Sequence, residues 1–565
     1  MQKALDTMVA NEESLRECMS DPHRLRDINI HTTDLYVRFL PSDTAQFNQL
    51  MADTSLLIFD YPIDYEIEEE GDYYMDNTVS GDYTWLYTIV PVNYTFPDIT
   101  CDVLENLFIY EHSPSYSEKE WGDQFNAYDD ALRTLETISF LLTDNKEDID
   151  FADATIASAV LSNGMQKLTT RTLKRFLWWS WYDCDYYPSG TIKVQTYYHL
   201  TANGCTTSNF NDPTAQPLKG QKILIWHWYR YSFLCTDDAG NYESHQQFRY
   251  NPNYTIIFKG QNGNNQWDLK RTIFSGVCLW TQKHNMGKHD KNGYSPIIAT
   301  SSGAWDASIT NNAFYDFMTI CDSNRITRPP ANLQVALNDN IGACSAPLLK
   351  HHSILYYTTV LYSGLAIMTV AIPSSSGFVA PLTEAIKRYS PDILLSGGNL
   401  TNGVSRLNFT SYVSSVWHEL SHASNVQWVR DDKGYSFVSN FWSSVMVTEI
   451  EHSLTTGLST PYGIKNDNNW EQIALCEGWA YHCKDKFRCL YLGNTPNSYL
   501  TFPHFYAKMF DDLEQIGCSM TNMEECLEVY TFTHYKELLK AKYTSNALMP
   551  SQIDSIIDYY YTYNF

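Results

Sequence analysis

The sequence is short of positive charge. Its 565 residues carry 39 Lys and Arg against 65 Asp and Glu, a formal net charge of −26. A surface of that sign repels phosphate backbones, which argues against a nucleic-acid partner. No CxxC pair occurs, and the odd count of 13 Cys rules out complete internal pairing. Cys476 and Cys483 are seven residues apart, about two helical turns, too far for an easy disulfide on a regular helix. Most cysteines therefore read as small buried hydrophobes. The acidic run Asp64-Tyr65-Glu66-Ile67-Glu68-Glu69-Glu70 lacks EF-hand spacing and reads as a solvated loop, not a calcium site. The first thirty residues contain no apolar h-region, so no signal peptide is expected in the chain as given. The uncharged stretch from Ile354 to Ile372 is long enough to span a bilayer. Its β-branched content and Ser-Gly break favour two buried strands instead, and no transmembrane span is expected.

What the chain has in quantity is aromatic: 41 Tyr, 26 Phe and 15 Trp, a composition suited to β-rich domains and wet interfaces. Its length implies roughly three or four cores. The expected fold is α+β and multidomain. Residues 1–185 read as a mixed α/β region, with a strand at 34–40 and a helix over 121–142 whose apolar stripe is Phe125, Leu132, Leu135 and Ile138. A further helix is expected over 150–178. Residues 187–270 read as a separate small β-sandwich, because short strands alternate with Gly, Pro and Asp turns. Residues 275–565 form the last region, with a helix predicted from Trp305 to Cys321.

The last region holds the one strong chemical motif, His418-Glu419-Leu420-Ser421-His422. On a helix, side chains at i and i+4 stand one above the other, so the two imidazoles can reach one metal ion. Glu419 sits on the adjacent face, able to act on a water polarised by that ion. Zn²⁺ would bring the pKa of such a water towards about 7, and Glu419 would take its proton. Val413, Val416, Trp417 and Leu420 supply the apolar stripe that holds such a helix in place. Asn425 and Trp428 stand where a metzincin has its Gly and third His, so the third ligand must come from elsewhere. Glu477 is the best candidate, a lone carboxylate in the apolar helical run Ile473–Tyr481 that is costly to bury without a partner. Glu449 and Glu451 compete for the role on grounds of spacing. The donor that would stabilise a developing oxyanion is sought among His482, His504, His534 and Tyr535, with His534 or Tyr535 preferred.

His-Glu-Leu-Ser-His-Ala-Ser, followed some way on by Glu-Gly-Trp-Ala, resembles gluzincin-type metallopeptidases. More closely, it is similar to uncharacterised zincin-like surface lipoproteins of gut bacteria. Tyr36-Val37-Arg38-Phe39, Phe59-Asp60-Tyr61-Pro62 and Glu70-Gly71-Asp72-Tyr73-Tyr74 also resemble the N-terminal part of such proteins. The segment Thr236-Asp237-Asp238-Ala239-Gly240-Asn241-Tyr242 resembles a hairpin of carboxypeptidase-regulatory-like, prealbumin-type domains, which are accessory modules. The resemblance implies a zinc ion held by His418, His422 and Glu477, with Glu419 as general base. It implies hydrolysis of a peptide or glycopeptide outside the cytoplasm, from a secreted or surface protein with a lipid anchor upstream of residue 1. Ser421 replaces the usual Ala, and Tyr481 stands where many gluzincins place an acidic supporting residue. The competing expectation is a non-catalytic surface binding protein or adhesin on the same scaffold. Retention of Glu419 favours the enzyme, because holding zinc needs no base.

Overall fold

The computed structural model describes the chain except residues 11, 13–20, 54–55, 64–75, 77, 80–82, 118–120, 143–185, 198–199, 202–203, 206–213, 228–229, 249, 272–280, 339–343, 347, 349–390, 397–405, 457–461, 493–501 and 564–565. The acidic run at 64–70, the helix expected over 150–178 and the apolar stretch 354–372 lie outside the described residues. The fold is mixed α and β, with several sheets and a helical C-terminal region. No helix among the described residues is long and apolar enough to cross a membrane.

Near the N-terminus, β1 (Asp34–Leu40) is the centre of a three-stranded antiparallel sheet, flanked by β2 (Leu86–Pro91) and β3 (Thr100–Leu107). Val37 and Phe39 point to one face and pack with Phe47 and Leu50, as a period of two requires. Helix α1 (Phe125–Leu142) buries Leu132, Leu135 and Ile138 as its stripe predicted, together with Tyr128.

Residues 187–270 are strand-rich, as expected. A small sheet joins β4 (Lys193–Thr196), β5 (Thr214–Pro217) and, later in the chain, β11 (Ile297–Ile298). The large sheet runs β7 (Arg230–Cys235), β6 (Gln221–His227), β8 (Asn253–Asn262), β9 (Asn265–Arg271), β12 (Leu333–Asn338), β13 (Ile393–Ser396), and β10 (Lys283–Lys288) also pairs with β8. Residues on both sides of β6 are buried. Ile223 and Ile225 enter the main core, while Leu224 meets Phe59 and Tyr87 from the N-terminal region. In the turn before Tyr242, Asp237 Oδ1 accepts from the amides of Ala239 and Asn241 at 2.9 and 2.7 Å. Gly240 has φ +76°, and a Cβ there would sit 2.6 Å from the Ile192 carbonyl oxygen, so only glycine fits. Tyr242 then returns to the core.

The large sheet continues past the boundary expected at 270–275. β9 pairs in parallel with β12, and β12 in parallel with β13. Parallel neighbours need a crossover of a dozen or more residues, and β9 and β12 are joined through α2 (Trp305–Asn324). One continuous core runs from Ile192 to Tyr560. The strands of 187–270 thus share a sheet and a core with the segment that carries the HExxH helix.

Helix α2 is buried along most of its length, between that sheet and α3 (Arg406–Lys433). Its polar residues are matched. Asn311 donates to the Lys219 carbonyl (2.8 Å) and accepts from Trp267 Nε1 (3.0 Å), and Lys219 Nζ pairs with Asp316 (2.8 Å). Trp417 Nε1 of α3 donates to the Ala313 carbonyl at 3.0 Å, and the Tyr412 and Thr310 hydroxyls meet at 2.6 Å. Trp417 is fully buried, and its neighbour in sequence is His418. Trp417→Ala should therefore cost about 3–5 kcal/mol, read as a shift in the chemical-denaturation midpoint. A loss under about 1 kcal/mol would contradict this account of how α3 is seated.

Candidate metal centre

Two helices build the centre. On α3, Val413, Val416, Trp417 and Leu420 are fully buried, which fixes the rotation of the helix. His418 and His422, one turn apart, then face α5 (Trp470–Leu492). Helix α4 (Tyr435–Thr456) follows α3 after the single residue Gly434, at φ +81°, and returns along it so that Trp442 lies against His422, ring centroids 5.5 Å apart. Helix α5 carries Glu477 within a stretch buried from Gln472 to Ala480.

His418, His422 and Glu477 converge. Nε2 of His418 lies 3.3 Å from Nε2 of His422. Glu477 places Oε2 3.3 Å from His418 Nε2 and Oε1 3.1 Å from His422 Nε2. Donors held about 2.0–2.1 Å from one tetrahedral ion would stand roughly 3.3 Å apart, so the spacing fits a metal ion. All three residues are buried, and they form the one group of potential metal donors found among the described residues. The donor set therefore fits a divalent cation. Glu477 is the third donor of this group, and Glu449 does not join it. The side chain of Glu451 lies outside the described residues.

Charge reinforces the fit. Burial pushes the His418 pKa down to about 4 despite Glu477, so this imidazole is neutral and ready to ligate at neutral pH. Burial also opposes protonation of His422, but the Glu477 carboxylate outweighs it and raises that pKa. Burial opposes ionisation of Glu477 as well, yet His422 and His418 hold it well below the ordinary carboxylate range. At mildly acidic pH a metal must thus displace a proton from His422. Apparent affinity should fall about tenfold per pH unit below the His422 pKa and level off above it. Competition with a chromophoric chelator between about pH 5.5 and 8 measures this, and a flat profile would count against ligation by His422.

Glu419 is buried and contributes no donor to the cluster. Burial raises its pKa to about 7, with Glu477 adding to the shift and His422 and Lys484 opposing it. A carboxylate poised there suits general-base work at neutral pH.

His534 and Tyr535, expected as oxyanion donors, have other surroundings. His534 is exposed on α6 (Phe532–Lys542), where its amide donates to the capping Thr531 hydroxyl at 3.2 Å. Tyr535 is a core residue packed on Phe510, with its hydroxyl 3.5 Å from the Met523 carbonyl oxygen. His482 is buried against Asp511, and His504 is bonded to Asp485. The phenols that feel the charge of Glu477 are Tyr462 and Tyr481. The Tyr481 ring lies 4.5 Å from that of His418 and stacks on His504 at 4.3 Å. Tyr481 is four residues beyond Glu477, so helical spacing alone puts it on the same face. Tyr462 lies in the loop before α5, where no periodicity signals it. Burial, with Glu477 close by, raises both phenol pKa values and keeps the hydroxyls protonated.

Comparison with protein-family models, curated proteins and solved structures finds no match to this chain.

Proposed function

We propose that the chain is a zinc-dependent peptidase of the gluzincin type, acting on peptides or glycopeptides. On this reading, the helices from α3 onward are its zincin-like part, and the strands of 187–270 are a prealbumin-like element joined to it. The observation that carries the reading is a buried carboxylate, Glu419, with a pKa near neutrality, beside three converging metal donors. A binding site that only holds zinc has no use for such a base. His418, His422 and Glu477 would hold the ion. Bound there, zinc would act as a Lewis acid and acidify water. Glu419 accepts the proton of the attacking water and returns it to the leaving amine. Tyr462 and Tyr481, protonated and on the Glu477 side of the centre, are the hydroxyl donors best placed to meet a developing oxyanion. Trp442 and the buried flank of α3 keep bulk water from the histidines.

The test is cleavage of a broad peptide library by zinc-loaded protein, alongside Glu419→Gln. Stoichiometric zinc with no cleavage of any peptide would instead favour the non-catalytic binding protein. Placement outside the cytoplasm, with a lipid anchor, belongs to the same proposal and rests on the resemblance alone.

A further inference from the structure

Trp442, itself buried, closes the centre on the α4 side. The side of Tyr481 is different. Tyr481 and Lys484 on α5 are only half-buried, and the side chain of His504, stacked on Tyr481, is 20% exposed. His418, Glu419, His422 and Glu477 lie buried behind them. A ligand therefore meets Tyr481, Lys484 and His504 on its way to the histidines.

Lys484 stands seven residues beyond Glu477 and three beyond Tyr481, so the three share one face of α5. Its Nζ lies over the Tyr481 ring, 5.4 Å from the centroid, and that ring is 4.5 Å from the ring of His418. These two distances put the ammonium within about 10 Å of the His418 ring. Among the described residues, no carboxylate pairs with Lys484 or hydrogen-bonds it. Its sequence neighbour Asp485 is committed elsewhere, with Oδ2 3.0 Å from His504 Nε2 and Oδ1 3.9 Å from Arg488 Nε. A divalent ion in the centre would offset Glu477 and Glu419, so neither is left to serve Lys484. From an ordinary value of about 10.4, burial lowers the Lys484 pKa against the pull of Asp485 and Glu419. The side chain meets a ligand at neutral pH as a cation. In a chain of net charge −26, an ammonium without a counter-charge beside the way in marks where an anionic group of the ligand belongs.

We propose that Lys484 receives a carboxylate of the substrate, so that the centre takes peptides bearing a negative charge next to the bond that is cut. One residue advances a peptide by about 3.8 Å. A carboxylate on that residue and its hydrogen bond of about 2.8 Å to an ammonium span the remaining gap. This rests on the peptidase reading for the word substrate, and on Lys484 for the anion. The carboxylate is either the peptide's C-terminus or an Asp or Glu side chain.

Both sources can be tested by calorimetric titration of the zinc-loaded Glu419→Gln protein, which binds without turnover. One probe pair is acetylated trialanine with a free or an amidated C-terminus. The other is acetylated trialanine amide with its central residue replaced by glutamate or by glutamine. In one pair or the other, the charged member is expected to bind at least tenfold tighter, a margin of about 1.4 kcal/mol, and that pair identifies the source. Adding Lys484→Met should erase the preference while zinc stoichiometry is retained. If that double variant fails to fold, Lys484→Gln takes its place. Equal binding within both pairs, or a preference that survives loss of the ammonium, overturns the inference. So does a Lys484→Met change that only shifts the pH at which turnover falls, since Lys484 would then serve Glu419 alone. Library cleavage by the wild type is read separately. Cleavage without any carboxylate preference sinks this inference alone, and preference without cleavage sinks the peptidase reading while supporting the carboxylate site.

Discussion

Replacing His418 or His422 by alanine, or Glu477 by glutamine, is expected to strip the centre of its metal. Each change removes one of three converging donors. Loss of an outer partner alone typically weakens metal binding by about 10–100-fold, so loss of a direct donor should exceed about 100-fold. Glu477→Gln is the most informative of the three, because it keeps shape and burial. It also removes the negative charge that raises the His422 pKa. In this variant His422 should titrate lower, and the residual affinity should depend less on pH. Metal content after dialysis, with chelator competition, measures the effect. If Glu477→Gln holds metal as tightly as the wild type while Glu449→Gln does not, the ligand set is wrong even though the helices are placed correctly.

The second large effect is kinetic. Glu419→Gln preserves size but cannot accept a proton, so hydrolysis should fall by about 10²–10⁴-fold while bound metal stays stoichiometric. The contrast with His418→Ala, which should lose metal and activity together, separates the base from the ligands. Turnover of a cleaved library peptide, compared at equal zinc content, is the measurement. Wild-type turnover in Glu419→Gln would eliminate the proposed chemistry whatever the metal content.

Much of the centre was legible because it is local. The spacing of His418 and His422 follows from helix geometry, and the apolar stripe around them told which way α3 would face. Glu477 could be read because a lone carboxylate in an apolar helix calls for a partner. Tyr481 was visible in the sequence as a departure from the family pattern, but its packing against His418 was not. His534 and Tyr535 are candidates by residue type alone, and residue type does not say that Tyr535 fills a core or that His534 faces water. Tyr462 lies in a loop, where no periodicity carries information about direction. The full extent of the sheet was hidden for a related reason. The strands of 187–270 were visible by their turns, but the pairing of β9 with β12 joins residues more than sixty positions apart in sequence. Nothing in either strand alone announces the other.

That pairing decides where the chain can be divided. A fragment ending at residue 270 would leave β9 with an open edge where β12 should lie. It would also bare Trp267, whose ring packs on Phe314 and whose Nε1 reaches Asn311, both on α2. An exposed strand edge beside uncovered aromatic surface is a template for pairing with other copies. The sandwich-like strands, which by their turns look like a portable module, would then be a source of aggregation. The main core instead begins just before β4, at Ile192, and continues to Tyr560, so a cut at residue 270 divides it.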